Sequence, residues 1–240
     1  MKFTSLFLLV ILLLISCSSL PRYVTGETRQ QADRNFQLGQ KAENSCDYTR
    51  AHSYYARAYH DYTSIDHLQG KVQAGLSLAR QYYLLGDSLN HQQWLDYLDL
   101  LISSEMQQMQ PALDLHLIEI AYLEKDFRKA ISLASRWQSI NMEWEAQRLS
   151  YLLLSQAAKG DFSSQEFAEL KKLLPGLYKN FRKGRMLDPG VYSYALYTSG
   201  YLLTCRSEWE PAEAFFRQAY ETDLKLENTS GLASDLFALG

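Results

Sequence analysis

Asp47-Tyr48-Thr49-Arg50-Ala51-His52-Ser53-Tyr54-Tyr55-Ala56-Arg57-Ala58 decides how this chain is read. An acidic residue and an aromatic lead in. Ala51, Tyr55 and Ala58 follow at +3, +7 and +10 from Tyr48. At 3.6 residues per turn these three share one helix face, in the order small, large, small. The pattern returns at Asp126-Phe127 with Ala130, Ala134 and Trp137, and at Glu208-Trp209 with Ala212, Phe216 and Ala219. In each copy the acidic–aromatic pair stands where one helix would end and the next begin.

Gly39 precedes Asp47, and Gly200 precedes Glu208, at the same distance. Glycine inside a helix costs about 1 kcal/mol relative to alanine. It is tolerable where two helices approach closely, and the expectation is small against small, Gly39 facing Ala51 and Gly200 facing Ala212. Helical periodicity fills the rest of the chain, and no alternating strand pattern competes with it. The fold expected is all-α.

These motifs resemble the tetratricopeptide repeat (TPR), with its small residue in helix A, acidic–aromatic turn, and Ala…aromatic…Ala in helix B. Gly86-Asp87 and Gly160-Asp161-Phe162 mark two further turns. Aligned on the turns, the helix A positions are Gly39, Ala79, Ile118, Leu153, Gly200 and Gly240. Most of these spacings exceed the family period of 34. His91 and Gln165 stand where the pattern has alanine, which implies displaced second helices there. The resemblance implies an α-solenoid of antiparallel helix pairs over residues 31–240, with about five repeats and a terminal half-repeat. That half-repeat ends in Leu232, Leu236, Phe237 and Leu239 without a polar cap, so either it serves as the cap itself or the repeat pattern continues past Gly240. Pro175-Gly176 is expected to break the chain, opening an extra segment over 175–188 that holds Lys179, Arg182, Lys183 and Arg185. That basic run could meet acidic lipid headgroups or simply form a solvated helix end. Asp188-Pro189 then offers a helix start.

The N-terminus carries a separate signal. Ten apolar residues, Leu6 to Ile15, follow Lys2. They are too few for a membrane-spanning helix, which needs about 20, and they fit a secretory signal peptide over residues 1–16. Leu14-Ile15-Ser16-Cys17 resembles the lipobox of bacterial lipoproteins. The resemblance implies acylation of Cys17 and anchoring in the cell envelope. Ser18, a non-Asp residue, points to the outer membrane facing the periplasm. Residues 17–30 are polar, contain Pro21 and Gly26, and are expected to form a flexible tether.

Charge narrows the partners. Without residues 1–16 the chain keeps 23 basic and 27 acidic side chains, a balance that does not suggest nucleic acid. Cys46 and Cys205 are the other two cysteines. An extended stack separates them by tens of ångströms, well past the roughly 7 Å Cα limit for a disulfide. His52, His60, His67, His91 and His116 lack metal-ligand spacing, and no nucleophile elbow, P-loop or dinucleotide fingerprint is present. The expectation is a binding protein with no cofactor and no metal, not an enzyme.

In the TPR family the concave groove is lined by helix A at fixed offsets. Carried over, repeat one supplies Asp33, Phe36, Gln40 and Glu43, and repeat two Gln73, Leu76, Arg80 and Tyr83. Repeat three supplies Ala112, Leu115, Glu119 and Tyr122. Repeat five supplies Tyr194, Tyr197, Tyr201 and Thr204, a tyrosine ladder on one helix face. Tyrosine suits binding surfaces, but an aromatic stripe also suits packing, and both readings stay open. Phe36 and Gln40 depart from the Lys/Asn/Arg groove that captures peptide C-termini. The resemblance implies a scaffold or adaptor that holds a protein partner, through a peptide segment, in envelope assembly or secretion. The competing reading is a surface receptor for glycans or small molecules, with tyrosines stacking on sugar rings.

Overall fold

The computed structural model describes residues 22–139 and 141–240. The signal segment and Cys17 lie outside them. Among the described residues the chain is an α-solenoid: α1 (Arg22–Asn44), α2 (Tyr48–Ser64), α3 (Leu68–Leu84), α4 (Ser88–Glu105), α5 (Gln110–Leu123), α6 (Phe127–Ala134), α7 (Met142–Ala158), α8 (Ser164–Arg182), α9 (Gly190–Cys205), α10 (Trp209–Leu226) and α11 (Thr229–Leu239). A 3₁₀ turn, Gln107–Met109, joins α4 to α5. None of these helices is long and apolar enough to cross a membrane. Residues 22–30, assigned to the tether by composition, form the first turns of α1.

The turns recur because one corner is used repeatedly. Cys46, Asp66, Gly86, Lys125, Ser207 and Glu227 all take positive φ. In each case the next residue bends back, its N–H donating to a carbonyl five residues earlier: Asp47 to Ala42, His67 to Tyr62, Asp87 to Tyr82, Asp126 to Ala121, Glu208 to Leu203 and Asn228 to Asp223. This is the Schellman ending of a helix. The same residue then caps the following helix. Asp47 accepts from the Arg50 N–H, Asp87 from Asn90 and Asp126 from Lys129. His67 does so through Nδ1, accepting from Gly70, a corner without an acidic–aromatic signature. Glu208 makes no side-chain cap.

His91 does not displace its helix. Asp87 caps α4 in the ordinary way, and His91 Nδ1 bonds the Ala79 carbonyl at 2.8 Å. At Asp161 the displacement is real: α8 starts two residues later, capped by Ser163, and Phe167 fills the buried position.

Three expectations are corrected. The glycines face aromatic rings rather than alanines. A Cβ on Gly39 would meet the Tyr55 ring at 2.6 Å, and one on Gly200 would meet Phe216 at 2.7 Å. The ring of helix B seats in a hollow that only glycine leaves in helix A. Next, α8 runs through Pro175. The proline forfeits one backbone hydrogen bond, but Leu174 and Leu177 on either side are buried, and Gly176 lets Met142 approach to 2.7 Å of where a Cβ would be. The segment 175–188 is thus mostly the end of α8. Last, α6 stops at Ala134, so Trp137 is not on its face. The buried Arg148 takes the Ala134 carbonyl at 2.8 Å, ending the helix.

Apolar packing runs in successive clusters. Ala42, Ala51, Tyr55 and Leu78 join the first three helices; Val72, Leu98, Ile102 and Leu113 the next; Leu149, Phe167, Leu196 and Phe216 the last. Serial cores of this kind are what a solenoid builds.

The inner curve is not wholly open. Gln40 Nε2 donates to the Leu187 carbonyl at 3.1 Å, Asn44 Nδ2 to Leu226 at 3.5 Å, and Lys41 pairs with Glu227 at 2.8 Å. The C-terminal end of α1 thus meets the loop before α9 and the far end of α10. The stack has wound back over its own beginning. Cys46 and Cys205 are free and exposed.

Gly39→Ala and Gly200→Ala should each lower stability by about 1–3 kcal/mol, since the ring must leave its seat. Gly26→Ala, with nothing within 4 Å, should be neutral or stabilising by up to about 1 kcal/mol. Denaturant midpoints of the three variants check this ranking.

Candidate functional site

The first helix of each pair faces the inside of the spiral, and five of them contribute to one polar spine. Arg80 on α3 stands at its centre. Its guanidinium pairs with Glu43 of α1 on one side and with Glu119 of α5 on the other, at 2.8 Å from Nη2 and 2.9 Å from Nε. Tyr55 donates its hydroxyl to the second oxygen of Glu43 at 2.8 Å. On the far side Glu119 meets the hydroxyl of Tyr151 on α7. Tyr151 in turn packs against Tyr194 of α9 at 5.3 Å and Tyr122 of α5 at 5.5 Å.

Burial works against the Arg80 charge, but Glu119 more than compensates, with Tyr151 and Asp188 adding to it, so the guanidinium is held more firmly than usual. Burial likewise drives the Tyr151 and Tyr194 hydroxyls well above the ordinary phenol range, reinforced at Tyr151 by Glu119. Both stay neutral and act as donors. His116 lies beside this hub, and burial lowers its pKa to about 4, so it stays uncharged.

Asp188 joins this hub from the loop before α9, exposed to solvent yet close enough to Arg80 and Glu119 for protein to surround its carboxylate. That surrounding raises its pKa, while the Gly190 amide and Arg80 pull the other way. Gly190 donates to Asp188 Oδ1 at 2.9 Å, but the helix begins at Gly190 with Pro189 at the N-cap, one residue later than the start expected at Asp188-Pro189. The loop itself hangs on Glu143 of α7, whose Oε2 accepts from the Leu187 and Asp188 amides at 3.0 and 3.2 Å. Burial raises the Glu143 pKa against the effect of those two bonds.

The residues chosen from sequence divide into three groups. Arg80, Glu119, Tyr122 and Tyr194 come together in the spine. Phe36 and Gln40 turn to internal contacts: Phe36 packs on Tyr55 at 5.4 Å, and Gln40 holds the Leu187 loop. Tyr83 leans on His91 at 5.5 Å, and Tyr197 rests partly buried against Phe216 at 5.6 Å. Tyr201, at 37% exposure, is the ladder's most open member. Tyr151 was missed because repeat four has a displaced turn, which hid its register. Asp188 was visible only as a cap.

No known protein family matches this chain, and no curated protein matches it.

Arg80→Met should lower stability by about 1–3 kcal/mol, because it leaves two carboxylates facing each other. The loss is smaller than for a fully buried pair, since 34% of the Arg80 side chain meets solvent. Adding Glu119→Gln to Arg80→Met should restore part of it. A double-mutant cycle with a coupling of at least about 0.5 kcal/mol would confirm the link.

Proposed function

We propose that this protein is a lipid-anchored scaffold of the bacterial cell envelope, held through Cys17 at the outer membrane and gripping a protein partner's peptide segment on its inner wall. The observation that carries the reading is the tyrosine wall. Tyr194, Tyr197 and Tyr201 follow one another on one face of α9, and Tyr122 and Tyr194 both pack on Tyr151. Half-buried tyrosines backed by a rigid spine present wide amphipathic contact with little entropy to lose. The resemblance to TPR turns supports the same reading, since such spirals bind on the concave side. The spine supplies rigidity, so the partner would engage the open tyrosines and the Asp188 edge rather than Arg80 itself.

Two measurements test this. Cys17→Ala should move the protein from the membrane fraction to the soluble fraction; unchanged partitioning would remove the anchor. A photo-crosslinking residue at position 204, on the same helix face, should capture a discrete protein partner in cells, and adding Tyr197→Ser with Tyr201→Ser should abolish capture while the melting temperature stays within a few degrees. Collapse of the fold instead would make the ladder core. An unaltered capture pattern would place the partner elsewhere.

A further inference from the structure

Asp235 lies in the middle of α11 with no exposed surface, and Asp223 near the end of α10 is 3% exposed. Gly231 and Asp235, one turn apart, share a face of α11, and Asp223 lies against Gly231, which sets the two carboxyl groups side by side. Ionised carboxylates only accept, so this contact needs a proton on one of them. Asp223 has further support: Asn228 Nδ2 donates to Oδ1 at 3.0 Å, and the Ser193 hydroxyl of α9 lies within reach. Asp235 has no such support. Among the described residues no N–H or hydroxyl reaches either of its oxygens. Gly231, one turn earlier, lets the pair form, because a Cβ there would sit 2.0 Å from Asp223 Oδ2.

The groups facing Asp235 come from each element packed on α11. Asp223 stands on α10 and Tyr197 on α9. On the α1 side Lys41 is engaged by Glu227 at the surface, and among the described residues no cation is among the groups acting on Asp235. Nothing therefore compensates a second negative charge at this buried contact.

We propose that the proton shared by Asp223 and Asp235 latches α11 onto α9 and α10, and that α11 loosens when the pair loses it. The sign follows from burial and from the neighbouring Asp223, which together push the Asp235 carboxyl up to about 7. A free aspartate titrates near 3.9. Docked α11 therefore keeps a proton that undocked α11 gives up, and docking weakens about tenfold per pH unit from about pH 4 to about pH 7, then levels. Because α11 also packs against α1, the latch acts on the seam where the spiral overlaps itself, beside Tyr197.

Hydrogen exchange of the full chain, corrected for intrinsic rates, tests this. Protection of residues 229–239, relative to 110–123, should fall with rising pH across that window. In Asp235→Asn the carboxamide donates to Asp223 with a proton that cannot leave, so protection should become independent of pH. Constant protection in the native protein, or the native decline persisting in Asp235→Asn, would overturn the latch. The carboxyl carbon of Asp235, followed by NMR in the native protein, gives a check that needs no variant. A midpoint near neutrality supports the latch, and one in the ordinary aspartate range refutes it.

Discussion

A guanidinium cannot be set inside a protein without partners, and Arg80 has drawn two carboxylates to itself from helices that are not its neighbours in sequence. That requirement shapes the spiral. Glu43 and Glu119 must stand on either side of one planar group, so α1, α3 and α5 are held at a fixed mutual approach on the inside of the curve. An apolar filling of the same volume would often be as stable or more so, because desolvation offsets much of the attraction. What the ionic arrangement adds is direction: a fork of donors accepts carboxylates only in its own plane. Relayed through Tyr151 and Tyr194, that constraint reaches α9. The spiral winds tightly enough for its fifth pair to come back over its first.

Much of the repeat was legible because its corners obey local rules. A capping aspartate followed by an aromatic marks where one helix stops and another starts, and that signal needs no knowledge of the rest of the chain. The corner at Asp66-His67 was less visible because a histidine nitrogen performs the capping there. Contacts between helices were harder. Gly39 signals close approach, but whether an alanine or a ring fills the hollow depends on axial stagger, which local spacing does not encode. Trp137 follows the repeat pattern faithfully, yet Arg148, from the next helix, ends α6 before reaching it. Pro175 looks like a stop in the sequence because its cost is local, whereas the burial of Leu174 and Leu177 that outweighs it is not.

The inner wall shows the same division. Arg80, Glu119, Tyr122 and Tyr194 share a register with the turns, so a fixed offset finds them. Tyr151 belongs to the one pair whose corner is displaced, and the offset fails there. Gln40 lies on the inner face as expected, but the overlap of the spiral supplies it with an internal partner, the Leu187 carbonyl. That overlap arises from curvature summed over four helix pairs and has no local signature.

The seam itself is slight. Among the described residues one exposed ion pair, two side-chain-to-carbonyl bonds and a limited packing of α11 on α1 join α1 to the far end of the spiral, and exposed pairs contribute at most about 1 kcal/mol. The closed form is thus held less by the seam than by the curvature behind it, and small changes at the last helix can part it without unfolding any pair. The spine does not share this softness, because Arg80 is tied to Glu43 and Glu119, and Tyr151 to Glu119, Tyr122 and Tyr194. A rigid inner wall beside a weak edge lets access to the tyrosines vary while their arrangement stays fixed. Burying two carboxyls at α10 and α11, where an apolar pair would dock more firmly, leaves that edge the element of the spiral most responsive to its surroundings.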